Sequence, residues 1–212
     1  EWYRDFARSM GEKPLSFVGS AGLQHDIIEV ARSIRQALDF DCEKRRKTPT
    51  WTEALRHFIL QADAFGIMVM VSGVVGSNTH RPLNPQEFRG FALADPLAPL
   101  VFINGKDTKA AQMFTLAHEL AHIWLGETAL SDVEPITTPS HEVETWCNQV
   151  AAELLVPLAD LQAAHESGNS LRKELDRLAR WFKVSTLVIL RRLHDAGILT
   201  RDELWQAYHQ EL

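Results

Sequence analysis

At 212 residues with 45% hydrophobic content, the chain can bury a proper core as one domain, or as one domain with a small appendage. A net charge of −6 and an isoelectric point near 5.8 give no global electrostatic case for nucleic acid as the main ligand. The longest apolar run, residues 65–76, is too short and broken to span a bilayer, and no secretory signal is read at the start, so no membrane association is expected.

Cys42 and Cys147 are only two and lie far apart, which suits a reducing cytoplasm better than a disulfide scaffold. The chain opens on Glu1 without a methionine, as a fragment of a longer protein does.

Taken in chain order, residues 1–20 show no clear period. From Gln24 to Leu38 apolar residues recur at helical spacing. Lys44-Arg45-Arg46-Lys47 reads as a solvated basic loop ending at Pro49. Thr50 caps a second helix, which Gly66 stops. Residues 67–71, 87–93 and 100–103 read as strands, the last two separated by turn residues around Asp95-Pro96. A helix starts near Asp107 or Thr108 and ends at a C-capping Gly126. A polar loop covers 127–139, and a helix from about Ser140 is closed by Pro157. Four further helices follow, over roughly 158–166, 170–182, 185–196 and 200–210.

Within the 107–126 helix stands His118-Glu119-Leu120-Ala121-His122. Positions i and i+4 share a helical face, so both imidazoles can aim at one metal ion. Glu119 is rotated by about 100° from His118, out of ligand position but within reach of a water on the metal. Two histidine ligands, an open coordination position and an adjacent base are the layout of a zinc peptidase. The surrounding segment is apolar almost all round, so the helix should be buried. Buried histidines and a buried glutamate need partners, and a metal satisfies all three together.

A catalytic zinc usually takes three protein ligands. Downstream candidates are Glu127, Glu134, His141, Glu142, Glu144 and Glu153. Loop positions hold a ligand poorly, whereas Glu144 and Asn148 lie one turn apart on one face of the next helix, continued by Ala151 and Leu155. Glu144 is therefore the expected third ligand. Asn148 is placed to accept a hydrogen bond from the far nitrogen of His118 or His122. His141, one turn before Glu144, is the first candidate for an oxyanion donor, followed by His80 and Arg81. Leu100, Val101, Phe102 and Ile103 are read as an edge strand that receives an extended substrate by strand addition.

The segments "MFTLAHELAHIWLG" (113–126) and "VETWCNQVAAELLVP" (143–157) closely resemble the ImmA/IrrE metallo-endopeptidase family, and "EFRGFALADPLAPLVFINGKD" (87–107) resembles its strand pair. The resemblance implies one zinc ion on His118, His122 and Glu144, with Glu119 as catalytic base. It also implies a protein substrate, typically a helix-turn-helix repressor cleaved in a bacterial stress, phage or mobile-element response, including toxin–antitoxin settings. Broader Glu-ligand zincins often carry Asp where Asn148 stands here. The repressor-type N-terminal domain found in many members is not recognisable in residues 1–60.

The expected architecture is α+β: a zincin-like peptidase core over residues 1–157, with a small, mainly antiparallel three-stranded sheet packed on helices, and an α-helical C-terminal subdomain over 158–212. The expected function is cytoplasmic zinc-dependent endopeptidase, with Glu119 assisting attack of metal-bound water on a peptide bond. Two rivals are a DNA-binding regulator and an antitoxin-like protein, either holding the metal in a structural or sensory role. Residues 175–199 have helix-turn-helix-like spacing, but an acidic chain with an apolar second helix favours a packed hairpin over direct DNA binding.

Overall fold

The computed structural model describes residues 2–76, 78–132 and 138–211. Four helices come first: α1 (Trp2–Ser9), α2 (Ile27–Ala37), α3 (Cys42–Arg46) and α4 (Trp51–Ala64). Strands β1 (Met68–Ser72), β2 (Val74–Val75), β3 (Asn78–Pro82), β4 (Phe88–Leu93) and β5 (Leu100–Asn104) follow. After α5 (Lys109–Leu125) and β6 (Ala129–Asp132) the chain is helical: α6 (Thr138–Leu155), α7 (Leu158–Ala164), α8 (Leu171–Phe182), α9 (Thr186–Asp195) and α10 (Arg201–Glu211). No described helix is long and apolar enough to cross a membrane.

Local chemistry sets many of these boundaries. Asp26, Thr50, Thr108 and Ser185 each accept a backbone N–H two or three residues into the helix they cap. Gly126 ends α5 at φ 78, a left-handed conformation that glycine adopts without strain.

The fold is α+β, and its sheet differs from the expected three strands. Four strands pair in the order β1-β5-β4-β6, with β1 parallel to β5 and the other two pairings antiparallel. The extra strand is β6, cut from a segment whose polar, proline-bearing sequence reads as loop; its remainder, 133–137, lies outside the described residues. A separate β2–β3 hairpin was equally hidden, because all of β3 is exposed and carries no apolar alternation. Phe91 faces Phe102 across the β4–β5 ladder, with the rings stacked at 5.3 Å.

Two other expectations are corrected at the N-terminal side. Residues 2–9 form a helix whose Trp2 and Phe6 are exposed, so no buried stripe betrays it. The basic run is also helical: Asp41 caps α3 by accepting from the Glu43 and Lys44 amides, and Arg45 is turned inward and buried.

One side of the sheet is covered by α5, buried on nearly all faces, and α6 packs along α5. Buried residues on both sides of Pro157, from Leu154 to Leu161, Leu178 and Ile189, belong to one continuous apolar cluster. The α8–α9 hairpin is held by that cluster through Leu175, Phe182, Ile189 and Leu193. Arg192 of α9 is committed to a buried ion pair with Glu153 of α6.

Candidate metal centre

The middle of α5 brings His118 and His122 to the same face, with their Nε2 atoms 3.1 Å apart. Helix α6 crosses that face and delivers Glu144. Its Oε2 lies 3.1 Å from His118 Nε2, and its Oε1 lies 3.2 Å from His122 Nε2. Both histidines are buried, His122 completely, and Glu144 is partly exposed, so the trio opens to solvent on the Glu144 side. Partial burial works to raise the Glu144 carboxyl, but hydrogen bonds from His118 and His122 outweigh it and hold the pKa down at about 2.

Whether these residues suit a metal can be judged from their own chemistry. The three groups converge so that one ligand atom from each lies within 4.8 Å of the others. Neutral imidazole nitrogens and a carboxylate all present lone pairs here, and a single proton cannot serve every contact in the triangle. A cation at its centre serves all of them, and N,N,O donors suit a divalent transition metal. The residues fit.

Glu119, the expected base, is fully buried on the face of α5 that meets β4. Gly90 in β4 makes room for it. A β-carbon at position 90 would lie 3.2 Å from Glu119 Oε1, 2.8 Å from the Phe102 carbonyl and 2.6 Å from Thr115 Cγ2. Gly90 was overlooked in the sequence, although a glycine inside an otherwise β-prone run is a signal of close approach.

A family model described as the IrrE N-terminal-like domain, of the M78 peptidases, matches residues 62–194. The chain belongs to this family. The matched span runs from the end of α4 to α9, so it contains the whole sheet, the HExxH helix and Glu144. Membership of this peptidase family agrees with the resemblance carried by residues 87–157, and with a chain that acts on peptide bonds. No curated protein sequence matches the chain.

Two expected site assignments, the edge strand and Asn148, are corrected by the geometry. The segment Leu100, Val101, Phe102 and Ile103 is no edge: β5 is paired on both sides, with β1 and β4, so its ladder groups are already used. Its strong apolar pattern reflects that central position. Asn148 is exposed one turn beyond Glu144, and the buried Nδ1 atoms of His118 and His122 make no hydrogen bond with it or with any other described residue. Sharing a face with Glu144 was not enough, because α6 turns that position outward. His80 and Arg81 sit on the exposed β3 strand. His141, in the first turns of α6, is exposed and stands outside the converging trio. Cys147 is fully buried on α6, and burial pushes its thiol up, which leaves it an inert packing residue.

Proposed function

We propose that this protein is a zinc-dependent endopeptidase with a zincin-like core that cleaves a protein substrate, a helix-turn-helix transcriptional repressor. The observation that carries the reading is the convergence of His118 Nε2, His122 Nε2 and the Glu144 carboxylate, with Glu119 one position along the same helix. Zinc bound by the three side chains supplies Lewis acidity for amide hydrolysis. Glu119 takes a proton from the attacking water and passes it to the departing amine, so the same carboxylate serves as base and then acid. The burial of Glu119 beneath β4 fixes its direction and keeps bulk water from competing for that proton.

The repressor as substrate rests on the likeness of residues 113–126 and 143–157 to ImmA/IrrE peptidases. The test is cleavage of a candidate helix-turn-helix repressor by the wild type and by Glu119→Gln, with metal content measured on both. Wild type should cut while Glu119→Gln keeps its metal and loses at least about 10²-fold in rate. A Glu119→Gln protein that cuts like wild type removes the mechanism.

A further inference from the structure

His122 stands in the last turn of α5, where a helix frays unless its terminal carbonyls find donors. Its Nδ1 makes no hydrogen bond with any described residue, so the ring is aimed by the backbone that carries it and by the packing around it. Part of the bracing is local. Gly126, left-handed at φ 78, turns the chain back so that the Glu127 amide donates to the His122 carbonyl and its own amide to the Ile123 carbonyl, both at 3.1 Å.

The rest comes from far upstream. The Gly19 amide donates to the Ile123 carbonyl at 3.1 Å, and the Ala21 amide donates to the Trp124 carbonyl at 2.8 Å. Residues 15–21 thus form a strap across the end of α5, and the strap is itself tied down. The Leu15 amide donates to the Pro96 carbonyl at 2.7 Å, in the turn between β4 and β5. The Phe17 ring packs on Phe65 and on Trp124, with centroids 4.6 and 4.8 Å away.

Missing side chains let the strap lie this close. A β-carbon on residue 126 would stand 2.8 Å from Gly19 Cα and 3.4 Å from Gly19 N, the atom that donates to Ile123. The obstacle is backbone, so the strap would have to lift. The span shared with the peptidase family, residues 62–194, contains neither upstream donor.

We propose that the 15–21 strap is a positioning element of the metal centre: by holding the last turn of α5 it fixes His122 against His118 and Glu144. It acts through the helix, not on the metal or the substrate. The proposal rests on the reading of those three residues as metal ligands.

The experiment takes the full chain, loaded with zinc or with cobalt(II), as wild type, Gly126→Ala and Gly197→Ala. Chelator competition gives zinc affinity, and the cobalt d–d absorption bands report ligand geometry. Gly197, between α9 and α10, has φ 72 and open space where a β-carbon would go, so its variant carries backbone strain without a collision. Gly126→Ala should weaken zinc by about tenfold or more and shift the cobalt bands. Gly197→Ala should lower Tm and leave both readouts as in wild type. If Gly126→Ala does not fold, Phe17→Ala decides, because it loosens a half-buried contact of the strap without altering α5. It should weaken zinc and shift the bands in the same direction.

Wild-type affinity and bands in the deciding variant overturn the role of the strap. An equal loss of affinity in Gly197→Ala assigns the effect to general destabilisation and overturns it too. A wild type that binds neither ion instead sinks the metal reading beneath it.

Discussion

Gly90 faces Glu119 across the β4–α5 interface at a point with no room for a side chain: a β-carbon there would stand 2.6 Å from Thr115 Cγ2, 2.8 Å from the Phe102 carbonyl and 3.2 Å from the Glu119 carboxylate. The backbone of β4 thus acts as the wall against which the base is set. In Gly90→Ala, β4 must shift against Thr115 and the Phe102 carbonyl, and Glu119 must give by a few tenths of an ångström. Misplacement by an ångström costs on the order of 10²-fold in rate, and overpacking costs about 1–3 kcal/mol of stability. Expected is a fall in kcat with metal content unchanged; a folded variant with wild-type kcat would show that Glu119 needs no such wall.

Metal content is the most direct check on the trio. Wild type should bind one zinc ion, and His122→Ala should lose it. Chelation should lower Tm in wild type and leave the Tm of His122→Ala unmoved, because binding to the native state alone stabilises it. An equal response of both proteins to chelator would place the metal elsewhere.

His141 as oxyanion donor makes a separable claim. Loss of such a donor costs roughly 10²–10³ in kcat, with KM little changed. His141→Ala should show that split and retain the metal. Unchanged kcat assigns His141 to the surface on which it already lies exposed.

Glu174 gives the fold an acid-sensitive point. Burial works to raise its pKa, but Arg177, the Glu166 amide and Asn169 outweigh it and hold the carboxyl at about 2, against 4.5 for the ordinary group. A depressed folded-state value means stability that is present above the ordinary value and lost as pH falls from 4.5 toward 2. Glu174→Gln should therefore be destabilised at pH 7 by on the order of 3 kcal/mol, with the gap to wild type closing in that acid window. A gap that stays constant with pH in denaturant titrations would mean packing, rather than charge, accounts for the loss.

The Glu153–Arg192 pair is buried at both ends. Removing one partner leaves the other charge stranded, so Arg192→Met should cost about 3–5 kcal/mol in urea unfolding. The double variant Glu153→Gln with Arg192→Met should recover part of that loss; a simple sum of the two single losses would argue against coupling.

Much of the site was legible because helical spacing is rigid: His118 and His122 had to share a face, and Glu144 was marked by its place on the one helix able to pack against them. The elements with strong signals, α2, α4, α5 and the two phenylalanine-bearing strands, announced themselves through period and caps. What stayed hidden depends on neighbours. Nothing in Leu100–Ile103 says whether it is flanked by one strand or two. Asn148 could not be turned outward until the axis of α6 was known. Arg45 reads as solvated by composition, and only the α3 cap at Asp41 turns it inward.

The last turn of α6 is gripped by arginines from three different helices. Arg35 of α2 donates to the Glu153 carbonyl at 2.6 Å, Arg45 of α3 to Leu155, and Arg192 of α9 to Val156 at 3.0 Å. These are the carbonyls a helix leaves without internal partners, at the negative end of its dipole. The grip lies some three turns from Glu144, so the carboxylate is anchored like the tip of a beam fixed at its far end. Sliding α6 along its axis would break three contacts at once. Residues well outside the metal centre thereby hold the helix that carries Glu144, and loosening that grip should weaken metal affinity as well as the fold.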